Sequence, residues 1–230
     1  MIATDHFVFI HLQTCGGHFA KEFLLRLVPG ARQIGAYVPR RMTPPALASL
    51  PALGMVRNPW SYYALWYSLN LRQPNPGTLF RVLSENGTLD FEHTVRNMLD
   101  LGMTGARLNE LMGALPPTFT GRGLNLPGSA LESIRGSGLG FFSFLYRHMY
   151  DGPGVTHILR VERLRTELLS TLLVVGQPVN AAMRAYVEAT PSREGAAEDD
   201  YTRLYGDELR DLVAERDAQL IARWGYLFGA

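Results

Sequence analysis

Short apolar runs that end at glycine or proline alternate along this chain with stretches of helical periodicity. Phe7-Val8-Phe9-Ile10 is a β-favouring run broken by Gly16-Gly17, and it reads as a buried strand. Behind it Phe19, Ala20, Phe23, Leu24 and Leu27 recur at helical spacing until Pro29-Gly30 ends the helix. The chain therefore opens strand, glycine loop, helix. Leu53-Gly54-Met55-Val56 predicts a second strand, cut off by Arg57-Asn58-Pro59. A helix from about Trp60 to Leu71 follows, with Pro59 suited to its first turn. A third strand is expected over Val155–Val161 and a helix over Leu164–Val174.

The rest of the pattern is helix and loop. Helical stretches are predicted around Leu79–Glu85, from an Asp90 cap to about Leu101, over Phe141–Tyr150, and over Asp207–Arg223. The last of these carries Leu209, Leu212, Val213, Leu220 and Ile221 on one side. Residues 36–52 read as loop and short helix, and 189–200 as a polar loop. Residues 102–140 are weakly patterned and glycine-rich, and they are expected to be mobile or substrate-facing. Strands alternating with helices predict an α/β fold with a parallel sheet covered on both faces. Ligands bind such sheets beyond the carboxyl ends of the strands. Residues 11–18 and 57–60 should then share one rim. A single domain over 1–230 is expected, with a variable region at about 70–150.

Composition narrows the function. The formal net charge of +1 gives no bulk field for nucleic acid or an anionic membrane, so any anion site must be local. Among 22 basic residues the only lysine is Lys21, so lysine chemistry must involve it. Cys15 is the one cysteine, which excludes an intrachain disulfide. No apolar run approaches the ~20 residues that span a bilayer. The first residues lack the basic region of a signal peptide, and a cytoplasmic location is expected.

A strand, a glycine pair and a helix form a physical recipe for holding phosphate. Glycines let backbone N–H groups approach the anion, and the helix N-terminus adds its dipole. Thr14 and Cys15 add a hydroxyl and a thiol. No Lys-Ser or Lys-Thr follows the glycines, so nucleoside triphosphate and Mg²⁺ binding by this loop are not expected. Arg57, at a strand end before a helix, suits a bidentate pair with a phosphate. A plain tight turn and a loop arginine are the alternatives for each feature taken alone.

Together these segments resemble the PAPS-dependent sulfotransferases, which use 3′-phosphoadenosine-5′-phosphosulfate. F-V-F-I-H-L-Q-T-C-G-G-H at Phe7–His18 is similar to their first motif, H-x-x-K-T-G-G-T after a strand. M-V-R-N-P-W-S-Y-Y-A-L-W-Y at Met55–Tyr67 resembles their second, V-R-[DN]-P-x-x-x-x-x-S-x-Y. Arg160, Glu162 and Leu164 match an R-x-E-x-L core, and Tyr205–Phe228 resembles the tail of bacterial members. The resemblance covers both ends and leaves about 70–150 only loosely matched. It implies a P-loop-like parallel β-sheet flanked by helices, and in-line sulfuryl transfer without a metal. The acceptor would be a small molecule or carbohydrate, taken at a hydroxyl or amine. It implies that Gln13, Thr14, Cys15, Gly16, Gly17 and His18 hold the 5′-phosphosulfate, that Arg57 holds the 3′-phosphate, and that Arg193 lies near the cofactor.

Three positions depart from the family pattern. The loop lysine is Thr14, the serine that partners the arginine is Leu65, and the histidine expected in an H-x-P setting is Tyr37, before Val38-Pro39. His18 and Lys21 are the candidates to replace the missing charge. Tyr37 and Glu92, the latter at a helix start after Asp90, are the candidate bases. Cys15 at a helix N-terminus is a further possible nucleophile, whereas His148 and His157 read as structural. Two other functions stay open: a pseudoenzyme that binds PAPS or the product PAP (adenosine 3′,5′-bisphosphate) without efficient transfer, and an α/β interaction protein that binds no nucleotide.

Overall fold

A computed structural model describes residues 1–120, 126–190 and 201–230. In chain order its strands and helices are β1 (Ile2–Ala3), β2 (Val8–Phe9), α1 (Gly17–Leu27), β3 (Arg32–Gln33), β4 (Ala52–Val56), α2 (Pro59–Leu71), α3 (Thr78–Leu83), α4 (Phe91–Leu99), α5 (Gly105–Ala114), α6 (Phe141–Tyr150), β5 (Thr156–Arg160), α7 (Leu164–Val174), α8 (Ala181–Ala189), α9 (Asp207–Arg216) and α10 (Ala218–Trp224). Short 3₁₀ turns punctuate the connections, among them Arg40–Met42 and Pro45–Leu47. No helix among the described residues is long and apolar enough to cross a membrane.

The chain forms two compact units. The first comprises Met1–Arg57 and the described residues from Tyr146 to Thr190, and the second comprises Asn58–Leu145 and Tyr201–Ala230. The first unit holds a five-stranded sheet in the order β3-β1-β2-β4-β5. The three predicted strands are parallel neighbours, with Val8 opposite Ala52 and Ala52 opposite Thr156. The sheet is nevertheless mixed, because β1 pairs antiparallel with both β2 and β3. Ile2-Ala3 gives way at once to Thr4-Asp5 and Arg32-Gln33 is polar and exposed, so neither extra strand lies in an apolar run that the sequence pattern would show. All five residues of β4 are buried, as expected of a strand covered on both faces. Helix α7 packs on β5, and α8 packs on α1 and α7.

Strands β2 and β4 run together only briefly. Val8 N–H donates to Pro51 O and Ile10 N–H donates to Leu53 O at 2.8 Å, and there the ladder stops. The Tyr150 hydroxyl at the end of α6 fills the gap where the strands part. It accepts from Met55 N–H at 2.7 Å, donates to Met55 O at 2.7 Å, and lies 3.5 Å from Ile10 O. Its ring occupies the space above Gly54, where a Cβ would come within 2.3 Å of the ring. Gly54 is therefore the residue that lets α6 approach β4.

In the second unit, α2 begins as the sequence suggests. Pro59 is its first residue, and the Asn58 side chain accepts from Trp60 N–H. Trp60 and Trp66 are core residues, and Tyr67 packs against Phe80 and Phe91. Asp90 caps α4 through His93 N–H, as predicted. Two outcomes differ from the pattern. The weakly patterned stretch contains α5 and a 3₁₀ turn over Gly128–Ile134. The terminal helix is broken into α9 and α10 at Asp217. Asp217 is fully buried and accepts from the Tyr63 hydroxyl at 2.7 Å and from Ser143 N–H at 2.9 Å. Burial raises its pKa above the ordinary carboxylate range.

Tyr150→Phe would keep the packing and remove only the wedge hydroxyl. It would leave Met55 N–H and C=O buried without that partner, and denaturant unfolding should report a loss of about 1–3 kcal/mol.

Candidate functional site

The loop after β2 is built by backbone geometry. Cys15 N–H closes a turn onto Leu12 O at 3.3 Å. Two residues then take left-handed conformations, Thr14 at φ 64° and Gly16 at φ 67°. For glycine this costs little, but for a β-branched threonine it is strained. Helix α1 starts at Gly17 with no side-chain cap and no acidic residue in its first turn. Its first N–H groups thus have no side-chain acceptor at the cap position and point out of the helix end. Cys15 is buried.

Gly17 is required for a reason of its own. A Cβ there would fall 1.6 Å from Nε2 of His11, so the His11 imidazole lies directly on the first turn of α1. Arg57 follows the last residue of β4 and is 1 % exposed. Since β2 and β4 are parallel neighbours, the glycine loop and Arg57 share the carboxyl edge of the sheet, as the sequence implied.

Two cavities flank the first turns of α1. One, of about 350 Å³, lies between α1 and the β1–β3 edge of the sheet, and Gly17, His18, Lys21, His11 and Tyr37 line it. The other, of about 610 Å³, is lined by Phe19 and by Val161–Thr166 at the start of α7. The first brings together three predicted residues, His18, Lys21 and Tyr37. His18 Nε2 lies 3.3 Å from Glu22 Oε1, one helical turn on. Tyr37, itself left-handed at φ 48°, packs its ring 4.9 Å from that of His11. Burial pushes the Tyr37 hydroxyl above its usual pKa, which makes it a donor rather than a base at neutral pH.

His11 was expected only as the first residue of the phosphate-cradling loop over His11–His18, with no role of its own. Burial, and then the positive charges of the Met1 amino group, Lys21 and His18, lower its pKa to about 4. The only signal in the sequence was a histidine six residues before a glycine. Phe19 and Arg165 were missed as well. Arg165 donates to the carbonyls of Val187 and Thr190 and sits 5.9 Å over the Phe19 ring. Arg160 of the R-x-E-x-L core is committed to Glu167, at 2.6 and 2.8 Å. Glu92 belongs to the second unit and pairs with Arg96 at 2.9 Å, a helical i,i+4 ion pair. Arg193 lies outside the described residues. No group of three or more His, Cys, Asp or Glu among the described residues is arranged to hold a metal ion.

Compared with protein-family models, curated proteins and solved structures, the chain gives no match.

His11 and His148 both have a pKa lowered to about 4, in each case first by burial. A histidine whose folded pKa lies below its unfolded value opposes folding once the unfolded chain can bind the proton. Stability should therefore fall as pH drops from about 6.5 to 4, by up to ~1.4 kcal/mol per pH unit for each ring. Removing positive charge with Lys21→Met should raise the His11 pKa, read from its ring C–H resonances.

Proposed function

We propose that the chain is a PAPS-dependent sulfotransferase working in the cytoplasm on a hydroxyl or amine acceptor. The observation that carries this reading is the shared rim. A glycine loop feeding an uncapped helix ends one strand, and a buried arginine ends its parallel neighbour. That pairing gives two separate anion-binding points, which suits a nucleotide phosphorylated at both ends. The resemblance of the same two segments to the family's motifs supports it. The 610 Å³ cavity beside Phe19 is of a size for an aromatic base.

In this reading, residues 13–18 hold the 5′-phosphosulfate through backbone N–H groups, and Arg57 holds the 3′-phosphate. The acceptor oxygen or nitrogen attacks sulfur in line, and the bond from sulfur to the bridging phosphate oxygen breaks. The acceptor proton passes to a base, and PAP leaves. Of the groups near the loop, His11 offers a neutral imidazole with one acceptor nitrogen.

A second reading, a PAP-binding protein without efficient transfer, is favoured by Thr14. Charge builds on the bridging oxygen as its bond to sulfur breaks, and a cation beside it acts mainly in the transition state. Thr14 supplies no such cation.

Thermal-shift titration with PAP tests both readings against a chain that binds no nucleotide. Arg57→Met keeps the stem volume and removes the charge. It should weaken PAP by about 2–3 kcal/mol and weaken adenosine 5′-phosphosulfate, which lacks the 3′-phosphate, far less. Equal losses for the two ligands would refute the role of Arg57.

Turnover separates the two readings. Thr14→Lys should raise the transfer rate by about 10²–10³-fold and leave PAP affinity within about tenfold. If the natural chain already matches its Thr14→Lys variant in rate, the charge argument is wrong.

A further inference from the structure

The 350 Å³ cavity between α1 and the β1–β3 edge has walls of two kinds. Phe9, His11 and Tyr37 form an aromatic row. The Phe9 and His11 rings are stacked with centroids 6.3 Å apart at 23°, and His11 and Tyr37 are 4.9 Å apart at 36°. The α1 side is cationic, with His18 and Lys21. None of the residues lining the cavity is acidic. His18 has Glu22 beside it, but Lys21 makes no ion pair among the described residues, and His11 makes no hydrogen bond among them.

We propose that this cavity is a binding pocket for a small planar organic anion, an aromatic ring carrying a carboxylate or a sulfate ester. Lys21 holds the oxyanion, and the ring lies against the row of Phe9, His11 and Tyr37. Its volume falls within the range of about 300–1,000 Å³ usual for small-molecule sites.

Three observations converge on that ligand. The first is charge without a counterion. Lys21 is half-buried in a wall that contains no carboxylate, and a partly desolvated ammonium gains most from an anion brought to it. The second is the state of His11. The groups facing it are the Met1 amino group, Lys21, His18 and Tyr37, and the charged ones all disfavour its protonation. The Met1 amino group has its own pKa lowered to about 6 by burial, so the positive charge of this wall is that of Lys21, beside a neutral His11 ring that adds no charge. The third is shape. Phe9, His11 and Tyr37 pack their rings on one another, so a ligand lying against the row meets ring edges, and an aromatic ring presents its face to them in the edge-to-face arrangement that aromatic pairs favour. The inference does not rest on the sulfotransferase reading.

The test is calorimetric titration of the full chain with benzoate, with phenyl sulfate, and with benzamide as the neutral isostere of benzoate, each with and without saturating PAP. Benzoate or phenyl sulfate should bind at least about tenfold more tightly than benzamide, as expected of a charge-assisted contact. Comparing the two anions decides between carboxylate and sulfate ester. Lys21→Met should weaken the preferred anion about tenfold or more, and Lys21→Arg, which keeps the charge, should recover most of that loss. Lys21 is not part of the core, so these variants should fold, and unchanged circular dichroism checks that they do. Four results would each overturn the pocket as assigned. They are no heat from either anion up to about 10 mM, affinity for benzamide equal to that for the better-binding anion, no effect of Lys21→Met, and displacement of the anion by PAP. Failure to bind PAP, in contrast, would sink only the sulfotransferase reading.

Discussion

The rim of the sheet depends on a single hydroxyl. Two parallel strands can diverge only if the backbone groups that leave the ladder find other partners, because a buried and unpaired N–H or C=O costs about as much as a lost hydrogen bond. Tyr150 supplies those partners to Met55 on both its N–H and its carbonyl. That substitution lets the chain after β2 turn away as a loop while β4 continues to Arg57. The ring can reach this position only because residue 54 is glycine. The opening between the strand ends is thus an internal property of the sheet and the end of α6.

The same logic governs the loop itself. His11 leaves the strand, and its ring is laid on Gly17, so the first turn of α1 is packed from one side by an imidazole. This packing gives α1 two distinct flanks. On one flank His11 becomes a wall of the cavity that contains Lys21, and on the other Phe19 faces the start of α7. A residue larger than glycine at position 17 would have to displace the His11 ring.

Much of this was legible in the sequence, because long patterns and strong punctuation are reliable signals. The three parallel strands, the start of α1, the Pro59 and Asp90 helix starts, and α7 over Leu164–Val174 all follow from apolar runs bounded by glycine, proline or capping residues. The missed features have identifiable causes. Strands β1 and β3 are two residues long and are held by pairing rather than by pattern. Helix α5 buries Leu108 and Leu111, too narrow an apolar side in a stretch punctuated by glycine to stand out. The break at Asp217 comes from a tertiary interaction, since a carboxylate accepting from Tyr63 and Ser143 cannot be inferred from helical periodicity. At the candidate site, the clustering of His18, Lys21 and Tyr37 was anticipated only as separate possibilities. The residue that joins them, His11, was visible only as one letter of a motif.

Net charge conceals where charge is available. The chain is nearly neutral and rich in arginine, yet many of its guanidinium groups are committed to structure. Arg40 is buried and donates to the carbonyls of Pro153 and Leu50, at 3.0 and 2.8 Å. Arg160 is bound to Glu167, Arg165 to the carbonyls of Val187 and Thr190, and Arg216 to Asp100. A planar fork of donors suits such fixed bonds, whereas an ammonium on a flexible stem suits a ligand that comes and goes. The one lysine of the chain faces a cavity without a carboxylate, next to a histidine that its charge helps to keep neutral. An anion entering there would meet the Lys21 ammonium at short range and partly shielded from solvent, where electrostatic contacts act most strongly. The local environment of Lys21, rather than the overall balance of basic and acidic residues, is therefore what gives this part of the chain its chemical character.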